Sequence, residues 1–399
     1  MKPRHLLYIL LVYCSCGRSK QSIATDISQS EPFTEGGYVY YPVKDNRIPV
    51  DLDKSQPASL FDYFKQIELI PLETNDDVLI GRPVTKVIYH QNKYYILDEQ
   101  QYIVHVFDDT GKFIFRIGKR GQGPEEYSYV YDFLINPFSG LIDLLDPVGF
   151  IVSYDLSGRF VKKSDLITNS ELQSINKFVA ITEKIYVFFP FAASFCITYY
   201  DMEGMKILFQ TYENYARNNR PKFNEYNNQW YFNHRYDNVT YMLGTDSLIE
   251  SFTLDFGKHN YKLTEEILPR EVQQSLGLRG PEISAKLREL EEKYAYKIWG
   301  IVQNNQFVIA RIETTNQKFV YLFYDKSTHE SKVINRFNES VDLLPITATN
   351  EYMLSHCYHE ELDKYVSEGM LDEADRQKFV NLMNAKEEEN PVIVKYYFK

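Results

Sequence analysis

Beyond about residue 66 the chain alternates short apolar runs with polar breaks, and the runs are rich in Val, Ile, Tyr and Phe. Segments such as "QIELIPLE", "KYYILD" and "IVHVFD", bounded by Asp, Gly and Asn, have the length and composition of β-strands. Three stretches repeat one arrangement: "KYYILDEQQYIVHVFDDTGKFIFRIG", "GLIDLLDPVGFIVSYDLSGRFVKK" and "EKIYVFFPFAASFCITYYDMEGMKILFQ". Each reads as strand, polar break, strand ending in aromatic-Asp, turn, strand. The turns "DDTG", "DLSG" and "DMEG" start at Asp108, Asp155 and Asp201, 47 and 46 residues apart. Asp opens such a turn by bonding to the backbone ahead of it, and Gly at the fourth position supplies a left-handed conformation.

Weaker copies follow. "QWYFNHRYDNVTYMLGTDSLIESFTLDF" is a fourth and "QFVIARIETTNQKFVYLFYDKSTHESKVINRF" a fifth, while "EYMLSHC" and the terminal "PVIVKYYFK" make two strands of a sixth. Four strands per repeat of this length, arranged radially, predict an all-β chain forming a six-bladed β-propeller. The spare strand "QIELIPLE" completes the last blade and closes the ring, which removes exposed sheet edges.

In a propeller blade the loops from the second strand to the third, and from one blade to the next, share one face. The loop "GKRGQGPEEY" after the first copy therefore lies on the ligand-facing side, as fold analogy has it. Gly118 and Gly123 have the spacing of a phosphate loop, but Pro124 and Glu125 stand where Lys and Ser or Thr are needed, and strand-forming residues follow. Two helical insertions, about 258–297 and 356–390, are expected on the same face. "SAKLRELEEKYAYK" and "DEADRQKFVNLMNAKEEEN" carry their helical patterns, either as a lid or as decoration that buries one apolar stripe each.

"VFDDTGKFIFRIGKRGQGPEEY", "LDFG" at 254–257 and "NPVIVKYYF" make the chain resemble the six-bladed β-propeller lipoproteins of Bacteroidetes, related in architecture to NHL-repeat propellers. The resemblance runs from about residue 65 to the C-terminus and implies a propeller fold and a cell-envelope location.

The N-terminus has the features of an address label. Lys2 and Arg4 precede "LLYILLVY", a signal-peptide core too short to span a bilayer, and "YCSCGRSK" reads as a lipobox with Cys16 as the lipid attachment. Residues 1–15 are thus expected as a lipoprotein signal peptide, 16–60 as a tether and 61–399 as the propeller. Gly17 in place of a retention Asp favours an outer-membrane lipoprotein, periplasmic or surface-facing. Over the whole 399 residues, 44% are hydrophobic and 15% aromatic, enough for a large β core. The formal charge of −11 argues against nucleic acid, whose phosphates are held by Lys and Arg.

Catalytic groupings are sparse, and no metal or cofactor is expected. His356, Cys357, His359 and Glu360 are close in sequence but lack a second ligand pair elsewhere. Trp230 and Trp299 fall inside predicted strands and read as core or blade-interface residues. The candidate ligand-binding set is polar and loop-borne: Arg120, Gln122, Glu125, Glu126 and Tyr127 from the first interblade loop, with Asp98, Asp146 and Arg235 from breaks between second and third strands. These features predict an envelope lipoprotein, joined to the membrane by its lipid, whose propeller binds a peptide, glycan or partner protein. The alternatives are a channel-site lyase or hydrolase of NHL-like type and a structural scaffold of a membrane complex. Cys196 and Cys357, three blades apart, are expected as separate thiols.

Overall fold

The computed structural model describes residues 43–399, apart from 167–171, 173–174, 191–194, 214–221, 261–280, 283–284, 286–288, 290–296, 315–317, 368–369, 372 and 384–389, and a strand pair, Phe33–Glu35 with Tyr38–Tyr40, ahead of them. The signal segment with Cys16, and most of the insertion at 258–297, lie outside the described residues.

Six sheets of antiparallel strands follow in order. Blade one is Val87–His90, Lys93–Asp98, Ile103–Asp108 and Phe113–Ile117, and blade two is Asp132–Ile135, Ile142–Asp146, Phe150–Tyr154 and Phe160–Asp165. Blade three is Ile175–Ala180, Ile185–Pro190, Phe195–Asp201 and Lys206–Glu213, and blade four is Lys222–Tyr226, Gln229–Asn233, Val239–Leu243 and Leu248–Asp255. Blade five is Lys297–Gln303, Phe307–Thr314, Lys318–Asp325 and Glu330–Phe337. Blade six combines both ends of the propeller. Its inner strand is only Thr347–Ala348, followed by Tyr352–Cys357 and Val392–Phe398, and Phe64–Pro71 from the N-terminal side pairs outermost. The ring therefore closes as the pattern predicted, with a two-residue inner strand that the pattern did not reveal.

The buried apolar side chains form six clusters, and each cluster is one junction between neighbouring blades. Tyr95, Leu97 and Val106 of blade one, for example, pack on Phe133, Leu144 and Val152 of blade two. Both faces of the blade sheets are thus covered, and second strands such as Lys93–Asp98 and Ile142–Asp146 are buried almost throughout. Outermost strands alternate instead, as in Phe113–Ile117. Cys196 belongs to the junction of blades three and four and Cys357 to that of five and six, both in apolar surroundings and not joined in a disulfide.

The repeated turns form as their residues dictate. Asp108 Oδ1 accepts from the backbone N–H groups of Thr110 and Lys112, each at 2.9 Å, and Asp155 Oδ1 does the same for Ser157 and Arg159 at 2.9 and 3.0 Å. Gly111 and Gly158 take φ of 86° and 81°. In the third turn Met205, not Gly204, is left-handed, at φ 46°.

One segment differs from expectation, and the insertion after Cys357 follows one of its two expected readings. The last part of the expected tether is structured: Arg47–Pro49 pairs parallel with the outermost strand of blade four, and Gln56–Ala58 with that of blade five. Ile48 is buried there, while the alternation is too short to stand out in the sequence. The insertion after Cys357 carries helices α1 (Leu362–Ser367) and α2 (Glu373–Met383). Leu362, Tyr365, Val366 and Phe379 pack into the junction of blades five and six, so this insertion buries an apolar stripe.

Candidate functional site: the central channel

The inner strands surround a cavity of about 1160 Å3 on the ring axis. At the mouth where the interblade loops arrive, charged residues stand at or near the starts of several inner strands. Lys86 and Lys177 both reach Asp132 Oδ1, at 2.7 and 3.5 Å, and the backbone N–H of Phe178 donates to Asp132 Oδ2 at 3.1 Å. Burial lowers the Lys86 pKa, and Asp132 opposes that shift. Across the axis, Trp299 lines the cavity. It is the extra residue of a bulge between Ile298 and Gly300, a distortion that re-aims a side chain out of the normal alternation. Its indole N–H donates to Glu313 Oε2 at 2.5 Å, Lys297 Nζ lies 3.5 Å from Glu313 Oε1, and the Arg235 guanidinium stacks 4.1 Å from the ring centre. The result is an aromatic platform set among paired charges, a surface that can hold a polar ligand by stacking and hydrogen bonds.

The opposite mouth is built of amides. Hairpins between first and second strands turn at Gln91–Asn92 and Asn227–Asn228, all four with φ between 48° and 58°. Two successive left-handed residues define the tight hairpin that Asn favours, so these amides have a folding reason to be there. Deeper in the wall, Asn224 and Gln303 are buried and line the cavity. Among the described residues, neither side-chain atom that Asn224 offers has a hydrogen-bond partner, and Gln303 Nε2 has none. Behind Gln303 lies Lys326, buried without an acidic partner among the described residues. Its Nζ donates to Gln303 Oε1 at 3.2 Å and Asn304 O at 2.7 Å and sits 4.0 Å from the centre of the Tyr226 ring. Burial lowers its pKa to about 7.

The residues anticipated from the loops are placed differently. Tyr127, expected on the ligand face, is a core residue: its ring packs between blades one and two and its hydroxyl donates to Ile117 O at 3.3 Å. Glu126 folds the loop around itself, accepting from Gly123 N at 2.8 Å with Lys119 Nζ at 3.3 Å, which lowers its pKa. A side chain at Gly121 would collide with that carboxylate, which gives this glycine its reason. The backbone donor a phosphate would need is thus already used. Asp98 is fully buried and accepts from Gly81 N, Gln100 N, Gln101 N and Gln101 Nε2 at 2.8–3.0 Å. Asp146, its equivalent in blade two, accepts from Ser128 N at 2.6 Å and Val148 N at 3.0 Å. Both tie an interblade loop to the neighbouring turn.

Arg120 donates to Ser128 O at 2.9 Å and rests against Tyr102 and Tyr129, while Gln122 and Glu125 are exposed. Of the eight, Arg235 is the one that touches a cavity-lining ring, and Trp299, read from the sequence as packing, is that ring. His356 lines the cavity with its pKa lowered to about 4 by burial, whereas Cys357 faces the core and His359 lies 3.3 Å from Met383 O on α2.

A closed six-bladed propeller with a polar, tryptophan-bearing channel is the class of protein these observations define. The chain belongs to the family described as "Domain of unknown function (DUF4934)", whose model matches residues 45–397. No curated protein sequence matches it. Among solved structures it is similar to a Bacteroides fragilis protein named "Putative exported protein", at 15% identity over 88% of this chain and 99% of that one, with a TM-score of 0.67. A member of the duf4221 family from Bacteroides vulgatus matches at 10% identity over 84% and 96%, with a TM-score of 0.49.

Proposed function

We propose that the chain is an exported binding protein of the cell envelope, anchored by a lipid on Cys16 in the outer membrane, whose propeller channel holds a peptide or glycan. The observation that carries the binding reading is Trp299 in the channel wall, held by Glu313 and Arg235 beside the lysine-lined mouth. Each acid at that mouth is neutralised by a lysine, an arrangement suited to holding a ligand more than to proton transfer. The name of the Bacteroides fragilis neighbour agrees with export, as does the apolar run that follows Lys2 and Arg4.

Two experiments test this reading. Cys16→Ala should abolish lipid labelling and release the protein from membranes; unchanged labelling would remove the anchor from the account. The chain has only two tryptophans, so a channel ligand found by screening glycans and peptides should change the emission of the wild type. Because Trp230 also lines the cavity, that change should be reduced in Trp299→Phe and abolished when Trp230→Phe is added. A ligand that binds without altering Trp299 emission would place binding elsewhere.

A further inference from the structure

The amide-lined part of the channel carries a more specific reading, which rests on the channel being a binding site. Three side chains of blades four and five line the cavity with hydrogen-bonding atoms unused: Asn224 Nδ2 and Oδ1, Gln303 Nε2, and Asn305 Oδ1. Asn224 is 7% and Gln303 4% exposed, so these groups are shielded from bulk water. A buried polar group left unpaired is costly, and native proteins keep few of them without a reason. Here several occur in one wall.

The orientation of Gln303 is fixed from behind. Lys326 Nζ donates to Gln303 Oε1 at 3.2 Å, so the NH2 group is left for the other side. Lys326 is itself held by Asn304 O and the Tyr226 ring. It acts as a positioning residue, and its charge stays behind the wall.

We propose that Asn224, Gln303 and Asn305 form a subsite that takes an extended peptide through its main-chain amides. These three side chains present two NH2 donors and two carbonyl acceptors and carry no charge themselves. A peptide backbone presents N–H and C=O in equal number, residue after residue, whatever its side chains. An N-acetylated sugar presents a single such amide among hydroxyls, which matches fewer of the four unused atoms.

The test uses the full chain carrying Cys16→Ala and titration calorimetry with N-acetyl-trialanine N-methylamide. A second probe is its depsipeptide analogue, in which the central N–H is replaced by an ester oxygen, and a third is chitotriose. The peptide is expected to bind about tenfold more tightly than the depsipeptide, and Asn224→Leu is expected to weaken peptide binding by at least about tenfold. Lys326→Met should narrow the amide-to-ester ratio while the protein still melts cooperatively, which a merely structural lysine would not do. Equal affinity for amide and ester, no effect of Asn224→Leu, or no peptide binding would overturn the proposal. Chitotriose binding lost in Asn224→Leu would also overturn it and assign the subsite to an acetamido sugar. If another ligand quenches Trp299 while the peptide is silent, the channel remains a binding site and only the peptide subsite fails.

Discussion

The loop face at blades one and two and the channel wall of blades four and five both bury polar side chains, yet they treat them in opposite ways. Asp98 and Asp146 spend their carboxylate oxygens on backbone donors of adjoining loops, and Asp143 is likewise enclosed by Ser153, Asn136 and Tyr186. Asn224, Gln303 and Asn305 keep atoms unused, and Lys326 lacks a counter-charge among the described residues. Burial and polarity alone do not separate the two regions. Between these two sets hydrogen-bond satisfaction does: the aspartates with complete partners hold neighbouring loops together, whereas Asn224, Gln303 and Asn305 keep unused atoms in the wall of the cavity.

The largest effect is expected from the element both regions depend on. Deleting Phe64–Pro71 exposes the edge of Val392–Phe398, so the product should elute as aggregate and show no cooperative melt. A soluble, cooperatively melting product would mean the ring does not need this closure. Next is Asp98→Ala, which leaves the backbone N–H groups of Gly81, Gln100 and Gln101 without this acceptor and removes one of the two that Gln101 Nε2 uses. A loss of about 2–4 kcal/mol by urea denaturation is expected, against less than about 1 kcal/mol for Asn224→Leu.

Lys326 gives a pH-dependent effect of intermediate size. Its pKa is about 7 in the fold against an ordinary 10.5, so between those values the unfolded chain binds a proton that the folded chain does not. Stability therefore rises with pH across that window, by about 2–3 kcal/mol from pH 7 to 9. Lys326→Met should abolish that part of the rise, which paired melts of wild type and variant at both pH values would show. The smallest effects are expected at the exposed loop: Gln122→Ala and Glu125→Ala should each change stability by less than about 0.5 kcal/mol. A larger loss at either would show that the loop depends on more than the Glu126 contacts.

The ring was legible in the sequence because its determinants are local and repeated. The Asp turns at 108, 155 and 201 recur through the first three blades, and the spare strand "QIELIPLE" had no other place to pair. The fifth turn was harder to see: Asp325 still accepts from Ser327 N at 2.8 Å, but His329 takes the left-handed place, at φ 60°, that the pattern assigns to glycine. The channel was poorly legible for a different reason. Which side of an inner strand faces the axis depends on how six blades pack, and a bulge at Trp299 shifts that alternation without any mark in composition. Asn224 reads as one polar position in a strand, and Lys326 reads as an ordinary turn lysine until blade five folds over it. Tyr127 shows the converse, since a tyrosine in a glycine-rich loop looks available but closes the junction of blades one and two.

The most direct test of this distinction compares basal melting and ligand-induced stabilisation in wild type, Asp98→Ala and Asn224→Leu, using whichever channel ligand quenches Trp299. The account predicts that Asp98→Ala melts well below wild type yet keeps its ligand-induced rise. It predicts that Asn224→Leu melts close to wild type and loses that rise. An Asn224→Leu protein destabilised as severely as Asp98→Ala, with its ligand response intact, would contradict it.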